Sequence, residues 1–126
     1  MMTTPKAIVQ TFWDTMQTND FEAASRLLSE NYVLHWPQSG ERVEGRANFA
    51  AINQAYPAHG VWRSEVYRLV AEGAEVVSDV SVTGGNVSGR AITFSTIEDG
   101  LITAQLEFWP EAFTAPTWRS AWVTLE

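Results

Sequence analysis

Between Val61 and Trp109 three turn signals, Glu72-Gly73, Gly84-Gly85-Asn86 and Asp99-Gly100, cut the chain into four long alternating runs. Residues of these types adopt the left-handed backbone that tight hairpins require. The runs Val61 to Ala71, Glu75 to Thr83, Val87 to Ile97 and Leu101 to Trp109 therefore read as an antiparallel meander. The last of them alternates most cleanly, with Ile102, Ala104, Leu106 and Phe108 on one side and Thr103, Gln105, Glu107 and Trp109 on the other. A carboxylate thus sits mid-strand between apolar neighbours. In a small domain such a strand is half buried, so Glu107 either meets partner groups in a pocket or carries a large desolvation cost. That makes it the first functional candidate.

The half before the meander has helical period. Ile8, Val9, Phe12, Trp13 and Met16 follow Pro5, a residue favoured in a first turn, and predict a helix from Thr4 to Gln17. Asn19-Asp20 breaks it. Asp20 then caps a second helix, Phe21 to Leu28, with Glu22 suited to its first turn. Tyr32 to Trp36 is a short strand stopped by Pro37, Gln38-Ser39-Gly40 is a turn, and Arg42 to Glu44 a brief extended segment. Gly45 opens a third helix, Arg46 to Tyr56, which carries Phe49, Ile52 and Tyr56 on one face and ends at Pro57. The tail Pro116 to Leu125 places Trp118 and Trp122 four apart and reads as either a short helix or an edge strand.

Helices first and a meander afterwards predict one α+β domain over residues 1–126, with three N-terminal helices packed on a curved, mainly antiparallel sheet. A concave sheet closed by helices leaves a cone. Its open end suits a small molecule. The 45% hydrophobic content of this 126-residue chain supplies a core without disulfides, which zero cysteines rule out together with thiol catalysis. The two histidines, His35 and His59, lie in different segments and make no metal-ligand spacing, so no metal or cofactor is expected. A net charge of -7 with eight scattered Lys and Arg offers no footprint for nucleic acid. With no apolar run of membrane-spanning length and no signal-peptide core, the chain reads as soluble and cytoplasmic. Gly85 to Gly89 has its serine one place too late for a nucleophile elbow, so serine hydrolysis is discounted.

Asn19-Asp20-Phe21-Glu22-Ala23, the spacing from Pro37 to Gly45, Asp99-Gly100-Leu101-Ile102 and Glu107-Phe108-Trp109, in that order, make the whole chain resemble the nuclear transport factor two-like superfamily, in particular its SnoaL-like, polyketide cyclase-like branch. The resemblance implies a cone-shaped α+β barrel, commonly a homodimer through the convex sheet face, with any chemistry inside the cone. Ketosteroid isomerases of that superfamily carry a tyrosine, a catalytic aspartate and a protonated aspartate where this sequence aligns Phe12, Trp36 and Ile92. Enolisation of that kind therefore lacks its usual groups. The same alignment places Val77, Asp79 and Ser81, like Gln105, Glu107 and Trp109, on the concave side.

Asp79 and Glu107 are the catalytic candidates on this reading, as two carboxylates whose mutual repulsion would raise a pKa toward neutrality. The plainer alternative pairs Asp79 with Arg90 or Arg68. Phe12, Trp36, Ile92, Gln105 and Trp109 are the ligand-binding candidates, an aromatic wall with a placed amide. Of the six tryptophans, Trp13 reads as helix-to-sheet packing, and Trp118 and Trp122 as a lid or dimer contact. His35 is expected to face opposite to Trp36, as a surface or dimer contact, and His59, in the loop from Pro57 to Gly60, reads as an exposed loop histidine or as one that reaches the pocket rim. Val76, Val80, Val82, Ile102, Leu106 and Phe108 are expected to form an apolar convex face covered by a second copy. Two functions stay open: a cofactor-independent acid/base enzyme of cyclase, isomerase or hydratase type acting on a small apolar carbonyl or cyclic molecule, and a non-catalytic ligand-binding or protein-interaction domain.

Overall fold

A computed structural model describes residues 3–56 and 61–126. Helix α1 (Pro5–Gln17) starts where the Thr4 hydroxyl accepts from the Ala7 N–H, and it buries Ile8, Val9, Phe12 and Trp13 on one face. Helix α2 (Phe21–Ser25) is capped by Asp20 but stops short of the expected Leu28. The sheet claims those residues instead: the Ile102 N–H donates to the Leu27 carbonyl, and Leu28 pairs with Ile102. Strand β1 (Leu28–Trp36) accordingly begins well before Tyr32, and a turn leads to β2 (Glu41–Glu44). Helix α3 (Arg46–Ala55) follows Gly45, whose φ of 83° favours a residue without a Cβ. Pro57 and His59 lie outside the described residues.

The meander is present as expected: β3 (Arg63–Glu72), β4 (Glu75–Gly84), β5 (Val87–Glu98) and β6 (Leu101–Phe108). Spatial order is β2-β1-β6-β5-β4-β3, with β1 parallel to β6 and every other pair antiparallel. Because β2 and β3 remain edges, the sheet curls around the helices as an open cone and not a closed barrel. Irregular pairing at Val66/Arg68 and at Thr96/Ile97 adds local bend and twist. A 3₁₀ helix (Thr117–Trp122) forms in the tail, where Phe113, Trp118, Trp122 and Leu125 are exposed. Among the described residues no helix is long and apolar enough to cross a membrane.

The inner face carries Tyr32 and Leu34 of β1, Val76, Ser78 and Val80 of β4, Ala91, Thr93 and Ser95 of β5, and Gln105 and Glu107 of β6, all buried. This inverts the expected sides of β4, where Val77, Asp79 and Ser81 face outward while Val76 and Val80 belong to the core, and Ile102 of β6 is likewise in the core. Leu106 and Phe108 do lie on the outer face as expected, where the exposed apolar residues also include Tyr67, Val70 and Phe94, with Phe108 edge-on to Phe94.

Asn19, at φ 65°, ties the helical layer to the mouth of the cone. Its side chain donates to the Trp62 carbonyl and accepts from the Trp62 N–H, both at 2.8 Å. The indole of Trp62 then lies on Gly84, where a Cβ would come within 2.5–2.9 Å of three ring atoms. Substituting Gly84→Ala is expected to displace that ring and destabilise the fold by about 1–3 kcal/mol. Thermal unfolding measures it, and an unchanged Tm would show that Trp62 has room to yield.

Candidate functional site

Between α1, α3 and the open end of the sheet lies a cavity of about 590 Å³. Its wall is largely aromatic and aliphatic, with Phe12, Leu34, Trp36, Phe49, Tyr56, Trp62 and Trp109, and polar groups enter it at Gln105 and Glu107. That composition suits a flat apolar body fixed by a few polar contacts. Arg63, Ser88, Gln38 and Glu111 stand toward its edge.

Glu107 is 8% exposed, and its carboxylate is held by three donors from different segments. Oε1 accepts from Trp36 Nε1 at 3.0 Å and from Trp109 Nε1 at 2.9 Å, and Oε2 contacts Thr93 Oγ1 at 2.7 Å. An indole N–H can only donate, so Oε1 is unprotonated in either charge state. Any proton on the group sits on Oε2, where the Thr93 hydroxyl reverses from donor to acceptor. Burial pushes the Glu107 carboxyl above the usual glutamate range, against the opposing pull of the bonds from Thr93, Trp36 and Trp109. Two contacts position Trp109. Its backbone N–H donates to Gln38 Oε1 at 2.5 Å, and its ring packs on Gly89, where a Cβ would meet it at 3.2 Å.

A second buried chain lies beside the first. Tyr32 Oη is 2.5 Å from Gln105 Oε1, and Gln105 Nε2 is 3.1 Å from Ser95 Oγ. Burial first, and the nearby charge of Glu107 second, push the Tyr32 phenol well above its usual range, so it stays an O–H donor.

Of the residues singled out in the sequence, Phe12, Trp36, Gln105, Glu107 and Trp109 are brought together on the cavity wall. Asp79 and Ile92 are not. Asp79 lies on the outer face, where Arg90 donates to it through Nε and through Nη2 at 2.9 Å, and Arg68 Nε lies 3.4 Å away. The hydrogen bond from Arg90, with the charges of both arginines, holds its carboxyl below the usual aspartate range. A base shared with Glu107 is therefore ruled out by geometry. Ile92 is the register partner of Asp79 and shares its face.

Both corrections have one cause. The two-residue hairpin pairs Glu98 with Leu101, and carried on without interruption that register would set Ile92 opposite Glu107. Thr103 is an extra residue between the pairs Ile97–Ile102 and Thr96–Ala104, so Thr93 faces Glu107 instead. Thr93, Ser95 and Tyr32 were the functional positions that sequence reasoning missed. The signal for the first two was a small polar residue alternating with Ile92 and Phe94. Among the described residues no group of three His, Asp or Glu could hold a metal.

Residues 9–105 match the family model of the SnoaL-like domain. The chain belongs to the SnoaL-like family. Among solved structures it is similar to a candidate ketosteroid isomerase from Kribbella flavida, at 32% identity over 97% of this chain and 89% of that one, with a TM-score of 0.88. An NTF-2 like protein of unknown function from Burkholderia xenovorans shares 25% identity over 97% and 94% of the two chains, with a TM-score of 0.78. An epoxide hydrolase of the LEH-like type from M. tuberculosis, at 19% identity over 84% and 82% and a TM-score of 0.70, shares the fold. No curated protein matches the chain.

In this SnoaL-like chain, Gln at 107 preserves every contact: its oxygen accepts from both indoles and its amide donates to Thr93. Because the folded carboxyl of Glu107 is raised, its stabilising protonated form is complete below the unfolded pKa and is lost as pH rises through the folded one. Wild type should therefore lose stability relative to Glu107→Gln as pH rises through that window. Melting temperatures of both proteins across pH 4 to 8 (on the order of the carboxylate range and above) check this, and parallel curves would refute it.

Proposed function

We propose that this SnoaL-like protein binds a small, largely apolar, carbonyl-bearing or cyclic molecule in the cone, and that Glu107 moves a proton on it without a cofactor. The observation that carries this reading is a buried carboxylate on the wall of an aromatic cavity, fixed by three donors and raised by burial above the usual glutamate range. Two carboxylate oxygens offer about four lone-pair sites. Three are used, so Oε2 retains one with which to accept a substrate proton. Abstraction next to a carbonyl would leave the electron pair on an enolate and the proton on Oε2, and in a β,γ-unsaturated carbonyl compound return of that proton to the γ-carbon of the dienolate would shift the double bond and complete an isomerisation. The Kribbella relative is described as an isomerase, in keeping with such chemistry. Phe12 and Trp36 bring no ionisable group, which leaves that work to Glu107.

The three donors also favour a second reading, in which Glu107 is a clamp between strands and the cone only binds. Proton exchange separates the two. With 1-tetralone in D₂O, the wild type is expected to exchange the proton next to the carbonyl faster than Glu107→Gln by about 10²-fold or more. A ketone that binds but exchanges no faster than in buffer would establish the binding reading.

We further infer a homodimer through the convex face, supported by the exposed Tyr67, Val70, Phe94 and Leu106. Light scattering should give twice the chain mass for the wild type and a monomer for Phe94→Asp. A monomeric wild type at micromolar concentration would sink this proposal.

A further inference from the structure

The geometry points to a hydrogen-bond donor subsite at Gln105, oriented by Tyr32, that takes the neutral carbonyl or cyclic-ether oxygen of the ligand. This rests on the reading that the cone binds a small molecule, and it adds which end of that molecule goes where.

Gln105 lines the cavity yet is only 2% exposed. Its amide orientation is set by distance. The 2.5 Å between Tyr32 Oη and the Gln105 amide fits O–H···O and is too short for N–H···O, so the amide oxygen faces the phenol. Tyr32 is fully buried, and its hydroxyl has no other hydrogen-bond partner among the described residues. Turning the amide over would leave the phenolic proton unpaired in the core, which is costly. The amide nitrogen therefore points away from Tyr32 and gives one proton to Ser95 Oγ. Its second proton has no partner among the described residues.

A neutral donor of this kind suits a neutral oxygen. A ligand carboxylate would instead meet the repulsion of Glu107 in a chain of net charge -7. Gln105 and Glu107 lie two residues apart on one face of β6, about 7 Å along the strand. The ligand then sets its oxygen at Gln105 and its acidic C–H toward Glu107. Tyr32 touches no ligand in this arrangement and is a positioning residue.

Carbonyl-labelled 1-tetralone and its oxygen-free counterpart tetralin test the subsite by NMR titration of protein carrying ¹⁵N-glutamine. Wild type is expected to prefer tetralone by about three- to tenfold, with its carbonyl carbon moving downfield and one Gln105 Nε2 proton shifting. Gln105→Leu should abolish the preference. Tyr32→Phe should reduce it while leaving tetralin affinity unchanged, whereas a purely structural role for Tyr32 would weaken both ligands alike and overturn its assignment. Should that variant not fold, the wild-type comparison and Gln105→Leu still decide the subsite. Equal affinities with an unmoved amide signal would overturn the donor subsite and leave the apolar binding cone standing. Failure of both ligands to bind at millimolar concentration would overturn subsite and cone together.

Discussion

The burial of one carboxylate organises the open end of this cone. Removing an ion such as that of Glu107 from water costs several kcal/mol after relaxation. Hydrogen bonds to a charged group return about 1.5–3 kcal/mol each, so three of them offset much of the penalty. The donors therefore have to come from separate segments: Trp36 at the end of β1, Thr93 in β5 and Trp109 just beyond β6. Their convergence fixes how these segments meet. It also explains why Trp109 is anchored by Gln38 and allowed close approach by Gly89. Burial still outweighs the three bonds and raises the carboxyl above the usual glutamate range, the direction that makes its ionised form a stronger base.

Two acids on the strands that flank β5, Asp79 on β4 and Glu107 on β6, illustrate how the face of a sheet decides chemistry. Asp79 looks outward, meets Arg90 and Arg68 and is held ionised, and Arg90 in turn sits 4.5 Å over the Tyr67 ring. Glu107 looks inward, meets only neutral donors and is shifted the opposite way. The partners that keep Asp79 charged are the ones that make it useless as a base.

The period change at the third helix, the hairpin glycines and the caps were legible in the sequence, and they were enough to specify the α+β order and the SnoaL-like resemblance. Gln105, Glu107 and Trp109 were legible as a wall because strand alternation puts them on one side, whereas Phe12, on a helix, and Trp36 were reached through the family resemblance. What could not be read was the extra residue Thr103, since a bulge has no residue type of its own here. It reversed the faces of Ile92 and Asp79 together. The end of α2 was misjudged for a related reason: Leu27 and Leu28 fit a helical stripe equally well, and pairing to Ile102, distant in sequence, decides between the two. Long-range pairing is absent from local pattern.

The cavity itself has a source that is simple once the register is known. Along β5 the inward row runs Gly89, Ala91, Thr93 and Ser95, all small, before Ile97 closes it. The larger Ile92 and Phe94 stand in the outward row. A strand that put its bulk inside would fill the cone and collide with Trp109, whose ring occupies the space over Gly89. Smallness inside therefore creates both the space for a ligand and the room for the tryptophan that helps hold Glu107. Moving that bulk outside makes the convex face apolar at Phe94, beside Leu106 and Phe108. A hollow interior and an exposed apolar exterior are thus two consequences of one alternation along β5.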